Sequence, residues 1–291
     1  MEAGPHQRIV IVGAGGIGGG LGGLLAHAGF HVELVARGAH GREIRANGLR
    51  VVRPEGELVL RLPCHARVAD VPWGPGDVAF VATKLGDAEA AYDEVLAAAG
   101  PDVPVVVGQN GVVADTWARA RFRTVVDTVV WVPAQFLEPG RVELYGVPVP
   151  GAVALEPTGA WLAAALADAG FRTAVHTDLG PWKRAKWITN LCGHAIAKGR
   201  ADLAPGLMEE GHVVLAAAGL EVASEALEAW VGDLRLATLD GRERLAGGSS
   251  AQSLVRGRPS EVQWLNGPLV DLAREVGVAV PLNEAVLTGR V

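Results

Sequence analysis

A G-x-G-x-x-G loop, Gly13-Ala14-Gly15-Gly16-Ile17-Gly18, directly follows the apolar run Ile9-Val10-Ile11-Val12 and opens a helix-like segment that closes near Gly29. Strand, tight turn and helix in that order are the context this motif needs. Gly13 allows the sharp turn, Gly15 lets the backbone approach a pyrophosphate, and Gly18 lets helix lie close against strand. The unpaired N–H groups and the dipole at a helix start favour anionic phosphates. The plain alternative is a flexible glycine-rich turn, and the flanking elements weigh against it. Four further glycines, at positions 19, 20, 22 and 23, are unexplained by the motif. Each would cost up to about 1 kcal/mol relative to alanine in a helix interior.

No residue from Ile9 to Val32 is formally charged, which at first resembles a membrane span or a signal sequence. Glycine decides against both, since positions 13, 15, 16, 18, 19, 20, 22, 23 and 29 are all glycine, a poor former of long helices. A signal peptide also needs a basic start and a dense apolar stretch. No later run reaches the roughly 18 apolar residues of a span, so the expectation is a soluble protein without a membrane partner. At 291 residues the chain is long enough for two domains of about 150 residues each. With 26 Lys and Arg against 32 Asp and Glu the net charge is −6, and no basic block is available to neutralise phosphates, which argues against nucleic acid. Cys64 and Cys192 cannot build a disulfide framework, so a reducing, cytoplasmic setting is expected.

Beyond the first strand and helix, β runs are expected at residues 31–36, 58–62, 77–83, 103–107, 124–131 and 141–144. Helices are expected at 41–47 and 87–99. Strands alternating with helices indicate a parallel, doubly wound sheet. From residue 182 onward the pattern is helical, over 182–198, 209–230, 234–245 and 260–276. Gly180-Pro181 reads as a hinge, because proline disfavours continuing an element through it. The expected division is a Rossmann-type α/β domain over residues 1–178 and an all-α domain over residues 181–291.

An NAD site usually carries an acid at the tip of the second strand, for the ribose 2′-hydroxyl. Glu33 falls in mid-strand, and Arg37 occupies the tip. A guanidinium there suits a 2′-phosphate, so NADPH is the expected cofactor, the alternative being a solvated loop cation. Lys84 and the stretch Gly108-Gln109-Asn110-Gly111 end later strands, where open α/β sheets bind ligands. By itself Asn-Gly is also an ordinary turn signal, and the spacing leaves Asn110 open.

In the segment from Trp182 to His194, Lys186, Asn190 and His194 are spaced i, i+4, i+8, so one helix face would present an ammonium, an amide and an imidazole. A solvated polar face on an amphipathic helix is the bland alternative. The other histidines (His6, His27, His31, His40, His65, His176, His212) show no metal-ligand spacing, and no metal is expected.

The glycine loop, Arg37, Thr83-Lys84, Gln109-Asn110-Gly111, Lys186-x-x-x-Asn190, Gly257-Arg258-Pro259-Ser260-Glu261 and Asn266-Gly267 occur in this order. Together they resemble the ketopantoate reductase (2-dehydropantoate 2-reductase) family over nearly the whole chain. The resemblance implies a Rossmann-type doubly wound sheet followed by an all-α domain like the C-terminal part of 6-phosphogluconate dehydrogenase. It implies an NADPH-dependent reductase that converts a small 2-oxo acid to its 2-hydroxy acid, with a homodimer left open. Lys186 is matched to the general acid, and Glu261 to a glutamate contacting substrate and that lysine. Asn110 is matched to an asparagine near the nicotinamide ribose and the substrate, Asn190 to a substrate-binding amide, and Ser249 to a serine gripping the substrate carboxylate. Glu261 has a second reading as helix-start chemistry, with Ser260 and Gln263 forming a capping box.

Three positions depart from the family pattern: His194 and Ala246 replace asparagines, and Ser253 replaces an aspartate. His194 is a candidate to take over a lost amide contact, or to titrate near neutral pH. The substrate therefore stays open between 2-dehydropantoate and a related 2-oxo acid. Other NAD(P)-dependent hydroxy-acid or opine-type dehydrogenases, and a non-catalytic NADP-binding sensor, remain as alternative readings.

Overall fold

A run of β-branched residues bounded by glycine suits a strand buried on both faces, and β1 (Ile9–Val12) is buried at all four positions. In the computed structural model, which describes residues 8–291, β1 pairs in parallel with β2 (Val32–Val35) on one side and β6 (Val78–Val81) on the other. His6 lies outside the described residues. With β5 (Cys64–His65), β7 (Val105–Val107) and β8 (Val125–Val126) these strands form a six-stranded parallel sheet in the order β5-β2-β1-β6-β7-β8. The order reverses between β1 and β6, the switch point at which doubly wound sheets bind ligands. Helices α1 (Gly16–His27), α2 (Gly38–Asn47), α3 (Leu85–Ala99) and α4 (Ala114–Arg119) connect the strands.

The glycine tract of α1 has a packing cause. A second sheet, β10-β11-β3-β4, is built from β3 (Leu49–Arg53), β4 (Gly56–Leu60), β10 (Ala134–Gln135) and β11 (Arg141–Leu144). A Cβ on Gly22 would lie 2.7 Å from Ile11 Cγ1 of the main sheet. On Gly19, Gly20 and Gly23 it would lie 2.9 Å from Val142 Cγ2, 2.7 Å from Leu144 Cδ2 and 2.7 Å from Val51 Cγ2, all on the second sheet. Helix α1 is thus clamped between two sheets at distances that no side chain larger than hydrogen fits. The intrinsic helix cost of these glycines is the condition for that packing.

The expected strand over 124–131 divides at Asp127. β8 joins the main sheet, whereas β9 (Thr128–Trp131) joins a third sheet, β14-β13-β9, with β13 (Ala152–Leu155) and β14 (Arg172–Val175). A short strand, β12 (Gly146–Val147), precedes β13 in the chain, and α5 (Ala160–Asp168) packs on β13 and β14.

The chain divides into two compact units. The first comprises residues up to Gln109, Ala114–Thr177 and Asp233–Glu243; the second comprises Asn110–Val113, Asp178–Gly232 and Arg244–Val291. The second unit is helical, with α6 (Gly180–Leu191), α7 (Gly193–Ala197), α8 (Ala204–Ala217) and α9 (Ser224–Val231). Gly180-Pro181 forms the first turn of α6, where proline's missing N–H is harmless, and this segment of the second unit begins just before it, at Asp178. The helix expected over 182–198 is broken at Cys192. That expected over 209–230 is broken at Gly219, whose φ of +68° ends α8.

The helix expected over 234–245 does not form. Gly232, Asp240 and Gly241 take φ values of +58°, +51° and +73°, which no helix accommodates. Instead β15 (Arg235–Leu236) pairs antiparallel with β12, and the Ala237 N–H donates to the Tyr145 carbonyl at 2.8 Å. Leu239 packs with Val52 and Tyr145, and Arg141 bridges to Asp240 at 3.2 Å. The chain then continues into α10 (Gly248–Val255), α11 (Val262–Val276) and α12 (Pro281–Leu287). Among the described residues, no helix is long and apolar enough to cross a membrane.

Candidate active site

In the α/β unit, Gly13 holds φ +97° at the end of β1, and a Cβ there would sit 3.0 Å from Thr83. Gly16, Ile17 and Gly18 form the first turn of α1. A Cβ on Gly18 would stand 2.2 Å from the Gly13 carbonyl and 2.8 Å from Ile11 Cγ2. Gly15 is different: only Phe136 Cδ1, at 3.8 Å, comes near its Cβ position. As N-cap of α1 it supplies no side-chain hydrogen bond, and no acid stands in the first turn. An open backbone at a helix start without negative charge fits a pyrophosphate. His40 braces this loop. The Gly140 N–H donates to His40 Nδ1 at 2.8 Å, so Nε2 carries the proton it donates to the Ala14 carbonyl at 2.7 Å.

Arg37 follows β2 as N-cap of α2, and its exposed guanidinium lies 3.8 Å from the Asp87 carboxylate. Glu33, the other candidate for the ribose end, is occupied elsewhere. It is buried, accepts from Arg8 at 2.9 Å and bonds His65 at 2.7 Å, and these partners hold its carboxyl below the usual range despite the cost of burial. Lys84 caps α3 just past β6. Beyond β7, the Tyr92 hydroxyl donates to Gln109 Oε1 at 2.9 Å, which fixes the strand end.

The helical unit carries the remaining candidates in three bonded pairs. The Lys186 ammonium donates to Asn190 Oδ1 at 3.1 Å, one turn along α6. Burial, and secondarily the charge of Arg244, push the Lys186 ammonium down to about 8, so this lysine is tuned rather than carrying its ordinary value. Helix α11 fixes α6 in place: the Trp187 indole N–H donates to the Leu265 carbonyl at 2.8 Å, and the Asn266 amide to the Leu191 carbonyl at 3.1 Å. Asn266 also bonds Asn283, which Glu210 holds in turn. The role of Asn266 is therefore to anchor the helix carrying the lysine.

The Ser249 hydroxyl, in the first turn of α10, donates to Glu261 Oε2 at 3.0 Å. The expected capping box at Ser260 is absent. Glu261 is itself the N-cap of α11 with no side-chain cap bond, and Ser260 Oγ instead meets His194 Nδ1 at 2.7 Å. His194 lies past the break at Cys192, so the expected three-residue stripe is two residues on α6 and one on α7. Burial, with Lys198 nearby, lowers its titration below the ordinary imidazole range, so the ring is neutral at pH 7. Ala246 is exposed, and Ser253 bonds back to the Ser249 carbonyl at 3.2 Å.

Two of the candidate residues carry a buried polar atom with no partner. Among the described residues, the buried side-chain nitrogens and oxygens without a hydrogen-bond partner are Arg53 Nε, Asn110 Oδ1 and Asn190 Nδ2. A buried amide atom left unmade costs about 1–3 kcal/mol unless a ligand completes it. Sequence reasoning missed Arg244, His40 and Phe136. Nothing local distinguishes Arg244, which the spacing puts in a helix, or a lone histidine; their contacts come from chain segments far apart in sequence.

Comparison with known proteins places the chain in one family. The family model described as "Ketopantoate reductase PanE/ApbA" matches residues 9–158, and "Ketopantoate reductase PanE/ApbA C terminal" matches residues 188–288. A curated relative, the 2-dehydropantoate 2-reductase of Mesorhizobium japonicum, is 28% identical over 97% of this chain and 96% of its own. The crystal structure of a PanE/ApbA family ketopantoate reductase from Ralstonia eutropha superposes with a TM-score of 0.80 at 26% identity, covering 97% of this chain and 96% of that one. D-Mandelate dehydrogenase, solved with NADH and anilino(oxo)acetate, shares the fold with a TM-score of 0.78 at 22% identity and the same coverage.

Proposed function

Because the chain belongs to the ketopantoate reductase family of oxidoreductases, we propose that it uses NADPH to reduce the keto group of 2-dehydropantoate or a related 2-oxo acid. The observation that carries this reading is the half-buried Lys186, lowered to about 8, beside an Asn190 amide nitrogen with no partner of its own. A proton donor works best when its pKa lies near the working pH, and an unmade donor beside it suits a ligand oxygen.

The glycine loop and α1 would hold the pyrophosphate, and Lys84 lies at a neighbouring strand end. The mandelate dehydrogenase shows that this fold also takes NADH, so this chain's own residues decide the preference. Glu33 is committed to Arg8 and His65, which leaves Arg37 at the strand tip for a 2′-phosphate. When bound, NADPH supplies the hydride. Lys186 would hold its proton at the ketone oxygen, stabilise the growing negative charge there and then release the proton to it. Asn190 Nδ2 and Asn110 would fix the substrate's polar groups, and Glu261 would orient the site through Ser249. His194, neutral and held by Ser260, would face the substrate where relatives carry an amide.

Following nicotinamide absorbance with purified protein, NADPH and a panel of 2-oxo acids tests the reading. Turnover of 2-dehydropantoate or a related 2-oxo acid with NADPH is expected, with weaker use of NADH. No oxidation with any oxo acid would overturn it.

A further inference from the structure

A trans peptide is planar, so its carbonyl and the N–H that follows it point in opposite directions. In the trans Ala14–Gly15 peptide the carbonyl end is held: the His40 Nε2–H donates to the Ala14 oxygen at 2.7 Å. The Gly15 N–H therefore points away from the imidazole. Helix α1 does not fix this plane by itself. Its own ladder starts one residue later, with the Gly15 carbonyl accepting from the Gly19 N–H at 2.7 Å. Glycine rotates more readily than any other residue, so the direction of this N–H depends on what clamps the peptide.

The imidazole is itself clamped at three places. It belongs to the third residue of α2, whose N-cap is Arg37. Its Nδ1 accepts from the Gly140 N–H at 2.8 Å, and its ring packs on Phe136 with centroids 4.2 Å apart. Gly140 comes this close because it takes φ +76° and has no side chain, where a Cβ would run into the Glu43 side chain of α2. A ring nitrogen that takes an N–H carries no proton of its own, so His40 is neutral and its N–H is at Nε2, facing Ala14. One ring thus ties the start of α2 and the turn before β11 to the glycine loop.

We propose, resting on the coenzyme reading above, that His40 is a positioning residue for the coenzyme: its bond to Ala14 turns the Gly15 N–H onto the pyrophosphate. The pyrophosphate is common to NADPH and NADH, whereas the 2′-phosphate assigned to Arg37 belongs to NADPH alone. A brace acting through Gly15 serves both coenzymes. One acting only on the start of α2 would serve NADPH alone.

Fluorescence titration of the full chain with NADPH and with NADH tests this. His40→Asn keeps an acceptor near Nδ1 but does not reach Ala14. It should weaken both coenzymes by about tenfold or more, the worth of a hydrogen bond to a charged group. His40→Gln carries an amide N–H to the place of Nε2, and its affinities should stay within about 3-fold of wild type. Unchanged affinities in His40→Asn would overturn the proposal. So would a loss confined to NADPH, or a His40→Gln protein as weak as His40→Asn. If neither variant folds, nitrogen NMR of the wild-type protein decides: the His40 proton should sit on Nε2, and the Gly15 amide signal should move when NADPH is added. A proton on Nδ1, or a Gly15 signal that stays in place, would overturn the proposal. A wild-type protein that binds neither coenzyme would instead overturn the proposed reaction, and this assignment with it.

Discussion

Lys186 Nζ and Asn190 Oδ1 lie 3.1 Å apart on successive turns of one helix, while the other end of the Asn190 amide is buried and unbonded. The amide thus spends its acceptor on the proposed proton donor and keeps its donor for something the protein does not contain. The pair joins an energetic cost in the protein alone to a gain with substrate.

Replacing the ammonium tests the proton source. Lys186→Met should reduce kcat by at least about 100-fold. The dissociation constant for NADPH, measured by fluorescence titration, should change less than about 3-fold.

The pH dependence follows from the lowered lysine. Lys186 acts only while protonated, so kcat/KM should hold level on the acid side and fall once pH rises through about 8. The decline should approach tenfold per pH unit. With burial and Arg244 as the causes of the shift, Arg244→Gln should move this limb to higher pH. An initial-rate profile of both proteins checks the sign.

Asn190→Asp should act in the same direction by a different route. A carboxylate at hydrogen-bond distance favours the charged ammonium, so the basic limb should rise by about one pH unit. The new anion also repels an anionic substrate and removes the unmade donor, so KM should increase about tenfold or more.

Arg37→Ala should weaken NADPH without weakening NADH, since Glu33 is already held by Arg8 and His65. The ratio of kcat/KM for the two coenzymes should shift towards NADH by about tenfold or more.

Gly23→Ala weighs two opposed effects. Alanine gains about 1 kcal/mol of helix propensity. Its Cβ would stand 2.7 Å from Val51 Cγ2, a stiff side chain with no exposure, and overpacking of this kind costs about 1–3 kcal/mol. A net loss of up to about 2 kcal/mol is expected, seen as a lower Tm in thermal unfolding.

The strands at Ile9–Val12 and Arg141–Leu144 and the glycine loop were legible because their signals are local: β-branched runs, turn glycines and a helix start in immediate succession. The glycines at 19, 20, 22 and 23 were visible but unreadable, because their reason is a sheet assembled from residues 49–60 and 134–144. Residues 234–245 misled for a related cause. Their backbone pairs with β12 and Leu239 packs on Val52 and Tyr145, distant partners that override a helical pattern. In the candidate site the residue types of Lys186, Asn190 and Glu261 were clear from motif order. The commitment of Ser249 to Glu261 depends on the left-handed turn at Gly247 and Gly248, which the sequence marks only as a polar loop.

Because Asp233–Glu243 supplies a strand partner to β12 and a cover for Tyr145, no single peptide cleavage yields two intact halves. A fragment truncated after residue 177 would leave a bare sheet edge and an uncapped aromatic pocket, and its recombinant product should be aggregation-prone. Separate expression of the nucleotide-binding part therefore calls for grafting that eleven-residue strip back onto the fragment, residues 233–243 of the intact chain.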